Sequence, residues 1–147
     1  MVVIGGAEAH LVAAELAAAH VGVVLASLQS FRTSWDQRRA LKGAPFTNGT
    51  AVDRLVAAGV TTAVGLEEDR LVRDMGLLAG IACANSGGHI GVSAALDLVS
   101  TNIYKMLGLK PAGHEDAGVF LVFEGSPLEI GGKVRAVADG SGTVDLY

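Results

Sequence analysis

The first 26 residues leave this chain little freedom of fold. Residues 1–4 (MVVI) are an apolar stretch that runs into Gly5-Gly6, and residues 7–20 are rich in alanine and leucine. Residues 21–26 (VGVVLA) are apolar and β-branched again. A strand, a tight turn, a helix and a second strand joined this closely form one β-α-β unit, with parallel strands and a right-handed crossover. Glu8 in the first helical turn and His20 in the last suit the two ends of the helix dipole.

The pattern returns further on. Asn48 or Thr50 can cap a helix over residues 51–58 (AVDRLVAA), which Gly59 ends. Residues 60–66 (VTTAVGL) then read as a buried strand. The chain passes directly from it into an acidic turn, Glu67-Glu68-Asp69, and a helix over residues 67–85 stopped by Ser86-Gly87-Gly88. In α/β proteins the C-terminal ends of parallel strands carry ligands and catalytic groups, which gives these carboxylates their interest. The plainer reading makes them N-terminal helix residues, stabilised by the dipole and by Arg70 and Arg73.

Two more short helices are predicted. Ser93 caps residues 94–99, and Ser100 or Thr101 opens a helix that runs to Leu107 and closes at Gly108. After Lys110-Pro111 short strands replace helices, at residues 118–124, 128–130, 133–138 and 143–147, separated by turns such as Asp139-Gly140. The fold class is α/β, with residues 1–111 as strand–helix units and residues 112–147 as a small β module.

Totals exclude several classes. At 147 residues the chain can bury a core of its own. Half of it is hydrophobic and its mean hydropathy is +0.45, a mix of Ala, Val, Leu and 20 Gly suited to buried strands and close-packed helices. A net charge of −4 and the lack of any Lys/Arg stripe argue against nucleic acid. The longest apolar candidate, residues 11–28, is interrupted by Glu15, His20 and Gly22, so no membrane span is expected. With one cysteine, Cys83, and no basic leader before MVVIGG, the expected setting is soluble and cytoplasmic.

Residues 27–48 (SLQSFRTSWDQRRALKGAPFTN) form a long irregular segment holding the single Trp and two of the four Phe. Segments of this length are either functional or disordered, and the aromatics favour a substrate-facing loop over disorder; a packed surface loop fits as well. Trp35 and Arg38, beside Arg32 and Arg39, are the candidate substrate contacts, with surface packing the blander account.

Four stretches together resemble the amidohydrolase superfamily, closest to imidazolonepropionase-like and related amidohydrolase domains. They are VVIGGAEAHLVAAELAAAHVGVVLAS, GVTTAVGLEED, ALDLVSTNIYKMLGL and DAGVFLVFEGSPLEIGGKVRAVADGSGTV. The most specific is the last part, with Ala95-Leu96, Thr101-Asn102 and Leu107-Gly108 followed by residues 122–128, Val137 and Asp139-Gly140. The resemblance implies a metal-dependent (β/α)8 barrel beside a β-sandwich built from both chain ends. This chain would hold the last three strand–helix units (strands at residues 1–4, 21–26 and 60–66) and part of the sandwich. It is similar to the C-terminal portion of a longer enzyme.

By that resemblance His10, in Glu8-Ala9-His10 just past the sixth barrel strand, is the expected ligand of a divalent metal, zinc by preference. Its competing reading is an exposed histidine in a first helical turn. After the eighth strand the family places Gly-x-Asp, whose Asp binds metal and acts as base; here Gly65-Leu66-Glu67 stands in its place. Glu67 and Glu68 are the candidate catalytic carboxylates, one methylene longer than the usual occupant. The family's first-strand histidine pair, strand-four bridge and strand-five histidine have no counterpart: the four histidines, His10, His20, His89 and His114, are scattered. The zinc therefore belongs to the full-length parent, and the chain alone is not expected to turn over substrate.

Three functions follow. The first is part of a metal-dependent hydrolase of C–N bonds other than peptide bonds, acting on a small amide or cyclic amide. The second is a degenerate, metal-free amidohydrolase-like domain with a binding or assembly role. The weakest is a phosphate-binding module using the Gly5-Gly6 turn. Strand edges left open by missing partners further imply a homo-oligomer or pairing with an N-terminal half.

Overall fold

The computed structural model describes residues 1–26, 47–66, 72, 74–110 and 119–147. Strand β1 is Val2–Gly5, followed by a short 3-10 helix at Ala9–Val12, helix α1 at Ala13–Ala18 and strand β2 at Gly22–Ala26. Helix α2 spans Ala51–Ala57, strand β3 Thr62–Gly65, helix α3 Met75–Asn85, helix α4 Val92–Asp97 and helix α5 Thr101–Leu107. Strands β4 (Val119–Glu124), β5 (Lys133–Asp139) and β6 (Val144–Leu146) complete the order.

Among the described residues the strands form two separate sheets. β1, β2 and β3 pair in that order, both pairs parallel; β4, β5 and β6 pair in order as an antiparallel meander with a bulge between Val122 and Phe123. The mixed α/β class is as expected, with three parallel strands standing as an open sheet. Both crossovers within the parallel sheet carry helices, as parallel pairing requires.

The described residues gather around one core. Val23, Leu25 and Val64 from the parallel sheet meet Val52 and Leu55 of α2, Leu78, Ala79 and Ala82 of α3, Ala95 of α4, Ile90 and Leu98. α2 is fixed at its start by a reciprocal cap: Asp53 N donates to Thr50 Oγ1 (3.2 Å) while Thr50 N donates to the Asp53 carboxylate (2.8 and 2.9 Å). Asp53 is thereby a buried carboxylate whose oxygens have a structural use.

The antiparallel sheet reaches this core through Leu128, which is buried among the cluster residues. α3 admits the 127–128 turn because Gly76 and Gly80 lack side chains; a Cβ at Gly76 would lie 2.6 Å from Pro127 O, and one at Gly80 would collide with Leu128 O. Leu128 N also donates to Ser126 Oγ (3.2 Å).

Several boundaries differ from expectation. The helix expected over residues 7–20 begins as a 3-10 turn and stops at Ala18, and His20 takes a left-handed φ of 51°, the chain reversing before β2. Gly91, extended at φ −78° and ψ 168°, caps α4 in place of Ser93, which lies inside the helix. Residues 128–130 form a turn rather than a strand, because Leu128 is drawn into the core and Glu129 N and Gly132 N close onto Ser126 O and Glu129 O. The loop expected at residues 27–48 lies outside the described residues except for Thr47 and Asn48.

The two edges of the parallel sheet are unlike. β1 has a strand on one side alone among the described residues. The outer side of β3 is met by the α4–α5 segment: Val64 N donates to Leu98 O (2.9 Å), and Asn102 Nδ2 donates to Thr62 O (2.9 Å). Among the described residues, no helix is long and apolar enough to cross a membrane.

Candidate active site at the C-terminal edge of the parallel sheet

Parallel pairing lines up the strand ends. Gly5 sits opposite Leu25, and Ala26 opposite Gly65, so the chain leaves β1, β2 and β3 at one edge of the sheet. This is the edge where parallel α/β folds assemble ligand sites.

His10 follows β1 across a tight connection. Gly6, at φ 45°, lets the backbone pass beside Val23, whose Cγ1 would lie 2.9 Å from any Cβ there. Ala9 N then donates to Gly6 O and Leu11 N to Glu8 O, both at 2.9 Å, winding the 3-10 turn. Ala9 enters the core, and the turn packs against α1 and α2. The imidazole is carried inward with it: His10 is 8% exposed, and its Nδ1 is buried with no hydrogen-bond partner among the described residues. The reading of His10 as a surface histidine is thus overturned. A buried polar atom left unpaired costs about 1–3 kcal/mol, and nearly all such atoms in folded proteins have a partner. An aromatic nitrogen in this state is an available electron pair or an available N–H.

Glu67, Glu68 and Asp69, with Arg70 and Arg73, lie outside the described residues, as do Trp35, Arg38 and His114. Leu66, which precedes the carboxylates, packs against the core at the same sheet edge as Gly65. Among the described residues no group of three His, Cys, Asp or Glu side chains is gathered as a metal would need. His89 is exposed in the turn after α3. Cys83 packs against the core and donates from Sγ to Ile90 O (3.1 Å), as a structural thiol.

A cleft of about 240 Å³ opens elsewhere, between the start of β3 (Val60, Thr61), α4 (Asp97) and α5 (Asn102, Lys105). It lies at the N-terminal end of β3, the opposite end from the His10 edge. Position in a parallel sheet weighs more than concavity, so the C-terminal edge remains the candidate site.

The sequence reading did not single out two polar groups with defined roles, Asp53 and the amide of Asn102. The Thr-x-x-Asp spacing at Thr50 was a readable signal for Asp53. Asn102 gave none beyond its place beside Thr101.

The fold is a parallel α/β layer joined to an antiparallel meander, and comparison with known proteins bears on its class. No family model matches the chain. Over 110 residues it is 56% identical to the amidohydrolase tasK of Hapsidospora irregularis, a match that takes in 75% of this chain and 11% of that protein. In fold it resembles a crystal structure of an amidohydrolase from Thermotoga maritima MSB8. The TM-score is 0.72 across 95% of this chain and 35% of that one, at 21% identity. The chain belongs to the amidohydrolase family. It spans about a tenth of the length of the curated relative and about a third of the solved one.

Proposed function

We propose that this chain supplies the His10 side of a metal-dependent site for hydrolysis of C–N bonds other than peptide bonds. In this reading the parallel sheet is the last part of a (β/α)8 barrel, and the remaining strands and ligands belong to the rest of a longer polypeptide. One observation carries the reading: the imidazole that family resemblance assigns to the metal is the described side chain whose buried Nδ1 has no partner.

The donor chemistry fits. A neutral imidazole offers a lone pair to a borderline cation such as zinc, and burial holds the ring against competing water. When bound, a divalent cation supplies polarisation of a carbonyl and acidification of water at neutral pH. His10 holds its nitrogen in place through the packed 3-10 turn. Glu67 or Glu68, next in the chain past β3, would take up the proton, with the extra methylene over Asp changing where the oxygen reaches. Trp35 and Arg38 are the proposed contacts to a small amide or cyclic amide substrate.

Calorimetric titration of the longer polypeptide that carries this chain with Zn²⁺, with the His10 ring nitrogens followed by NMR, tests this. Binding that shifts the His10 nitrogens and is lost in His10→Ala supports the assignment. A folded protein whose His10 nitrogens do not respond to saturating Zn²⁺ overturns it. The second reading, a metal-free role in binding or assembly, is favoured by Phe120, Leu121, Leu146 and Tyr147, all exposed on or beside the antiparallel sheet.

A further inference from the structure

We infer that Thr50 and Asp53 are positioning residues for His10: their buried cap holds α2 where the 3-10 turn rests, and so sets where the imidazole nitrogens stand. This deepens the metal-dependent reading of His10 and rests on it. Nothing local fixes the His10 turn. It follows Gly5 and Gly6, at φ 103° and 45°, and neither the turn nor α1 after it has a side-chain cap. Its order has to come from what it packs on, and α2 is such a support. Ala9 and Ala13 share one buried cluster with Ala51, Val52 and Leu55 of that helix.

The support is itself built with unusual care. Among the described residues α2 alone has a start capped by side chains; α3, α4 and α5 begin without one. A cap of this kind works at the surface, where water helps to solvate the carboxylate. Here Thr50 is 5% exposed and Asp53 4%, and both carboxylate oxygens accept from the one N–H of Thr50. Gly49, at φ 81°, closes against them: a Cβ there would lie 3.0 Å from Asp53 Oδ2. Thr47 Oγ1 donates to Gly49 O (2.9 Å) and ties the approach down. Burial makes a carboxylate costly to leave unpaired, so the first turn of α2 has little freedom to shift. Capping alone does not call for burial; a rigid seat under a neighbouring turn does. Ligand geometry has to be held to within about 0.5 Å, and residues that orient a ligand are worth about 10–100-fold in metal affinity.

Zn²⁺ titration and NMR of the His10 ring, on the longer polypeptide that carries this chain, test the inference. Thr50→Ala removes the hydroxyl without a change of charge. It should move the His10 ring-nitrogen signals of the metal-free protein and weaken Zn²⁺ binding about tenfold. Thr50→Ser keeps the hydroxyl and should leave signals and affinity as in the unmodified protein. Ser86→Ala deletes a buried hydroxyl at the end of α3, which accepts from Ile90 N (3.0 Å) and donates to Cys83 O (2.8 Å). It should lower stability yet leave the His10 signals and Zn²⁺ affinity unchanged. Unmoved ring signals in folded Thr50→Ala overturn the inference. So does an equal loss of affinity in Ser86→Ala, which would reduce the cap to plain stability. An unmodified protein that ignores Zn²⁺ overturns instead the metal reading of His10, and the metal-free ring signals of Thr50→Ala then decide the positioning role on their own.

Discussion

In the parallel sheet Val23, Ala63 and Val64 are sealed from solvent, whereas in the antiparallel sheet all of β6 and five of the six residues of β4 are exposed. Both sheets have three strands and similarly apolar sequences. They differ in cover. Helices α2, α3 and α4 close over the first, while the second meets the rest of the chain chiefly through Leu128 and the bare backbone track of α3. A strand's composition fixes how much apolar surface it offers; its partners decide whether that surface becomes core. Phe120, Leu121 and Val122 are as hydrophobic as Val23 and Leu25, yet they contribute little to burial here.

The contrast can be broken at its strongest point first. Leu55 is wholly buried, and Leu55→Ala should cost about 3–4 kcal/mol, read as a loss of cooperative stability in urea. Gly80→Ala should cost at least about 2 kcal/mol by overpacking against Leu128 O. Its loss should be local: exchange should accelerate across β4–β6 while β2 and β3 keep their protection. Equal loosening of both sheets would show that they unfold as one unit. Thr50→Ala should remove about 1 kcal/mol by deleting half of the α2 cap, with the effect confined to the parallel layer. His20→Gly should stabilise by up to about 1 kcal/mol, because His20 holds a left-handed φ that glycine adopts without strain.

The smallest effect belongs to the exposed sheet. Asp139 accepts from Ser141 Oγ (2.7 Å) and Ser141 N (2.8 Å), and these bonds hold its carboxyl below the usual value. A depressed folded-state pKa gives stability that is present above the unfolded value near 3.8 and lost as pH falls through the folded one. The β5–β6 turn should therefore loosen only in acid, and Asp139→Asn should abolish that pH dependence in the NMR shifts of Ser141 and Thr143.

Much of the fold could be read from local signals. Alternation of MVVI, helix and VGVVLA gave a parallel pair, and Asn48 or Thr50 marked a helix start. The failures share a cause. Ser93 is a good cap by type, yet Gly91 reaches the extended conformation first. Residues 128–130 have strand character, but a distant helix with two glycines offers Leu128 a deeper burial than a ladder would. The bond from Asn102 Nδ2 to Thr62 O joins residues 40 apart through a side-chain amide. The strand ends were legible as a place, and His10 as a candidate beside them. Its burial, which turns a surface candidate into an unpaired imidazole, comes from packing against α2, a helix about 40 residues later in the chain.

The Leu128 contact also sets an order of events in folding. β4 to β6 pair between near neighbours in the chain, and such local pairings close sooner than distant ones. The parallel sheet needs loops closed between residues 5 and 22 and between 26 and 62, a slower step. Leu128 has no pocket until α3 has packed on that sheet. The meander should therefore form early as an undocked hairpin array and wait, its apolar face open, until the slower layer provides a seat. The interval before docking, more than the final structure, is when this chain is most exposed to wrong partners.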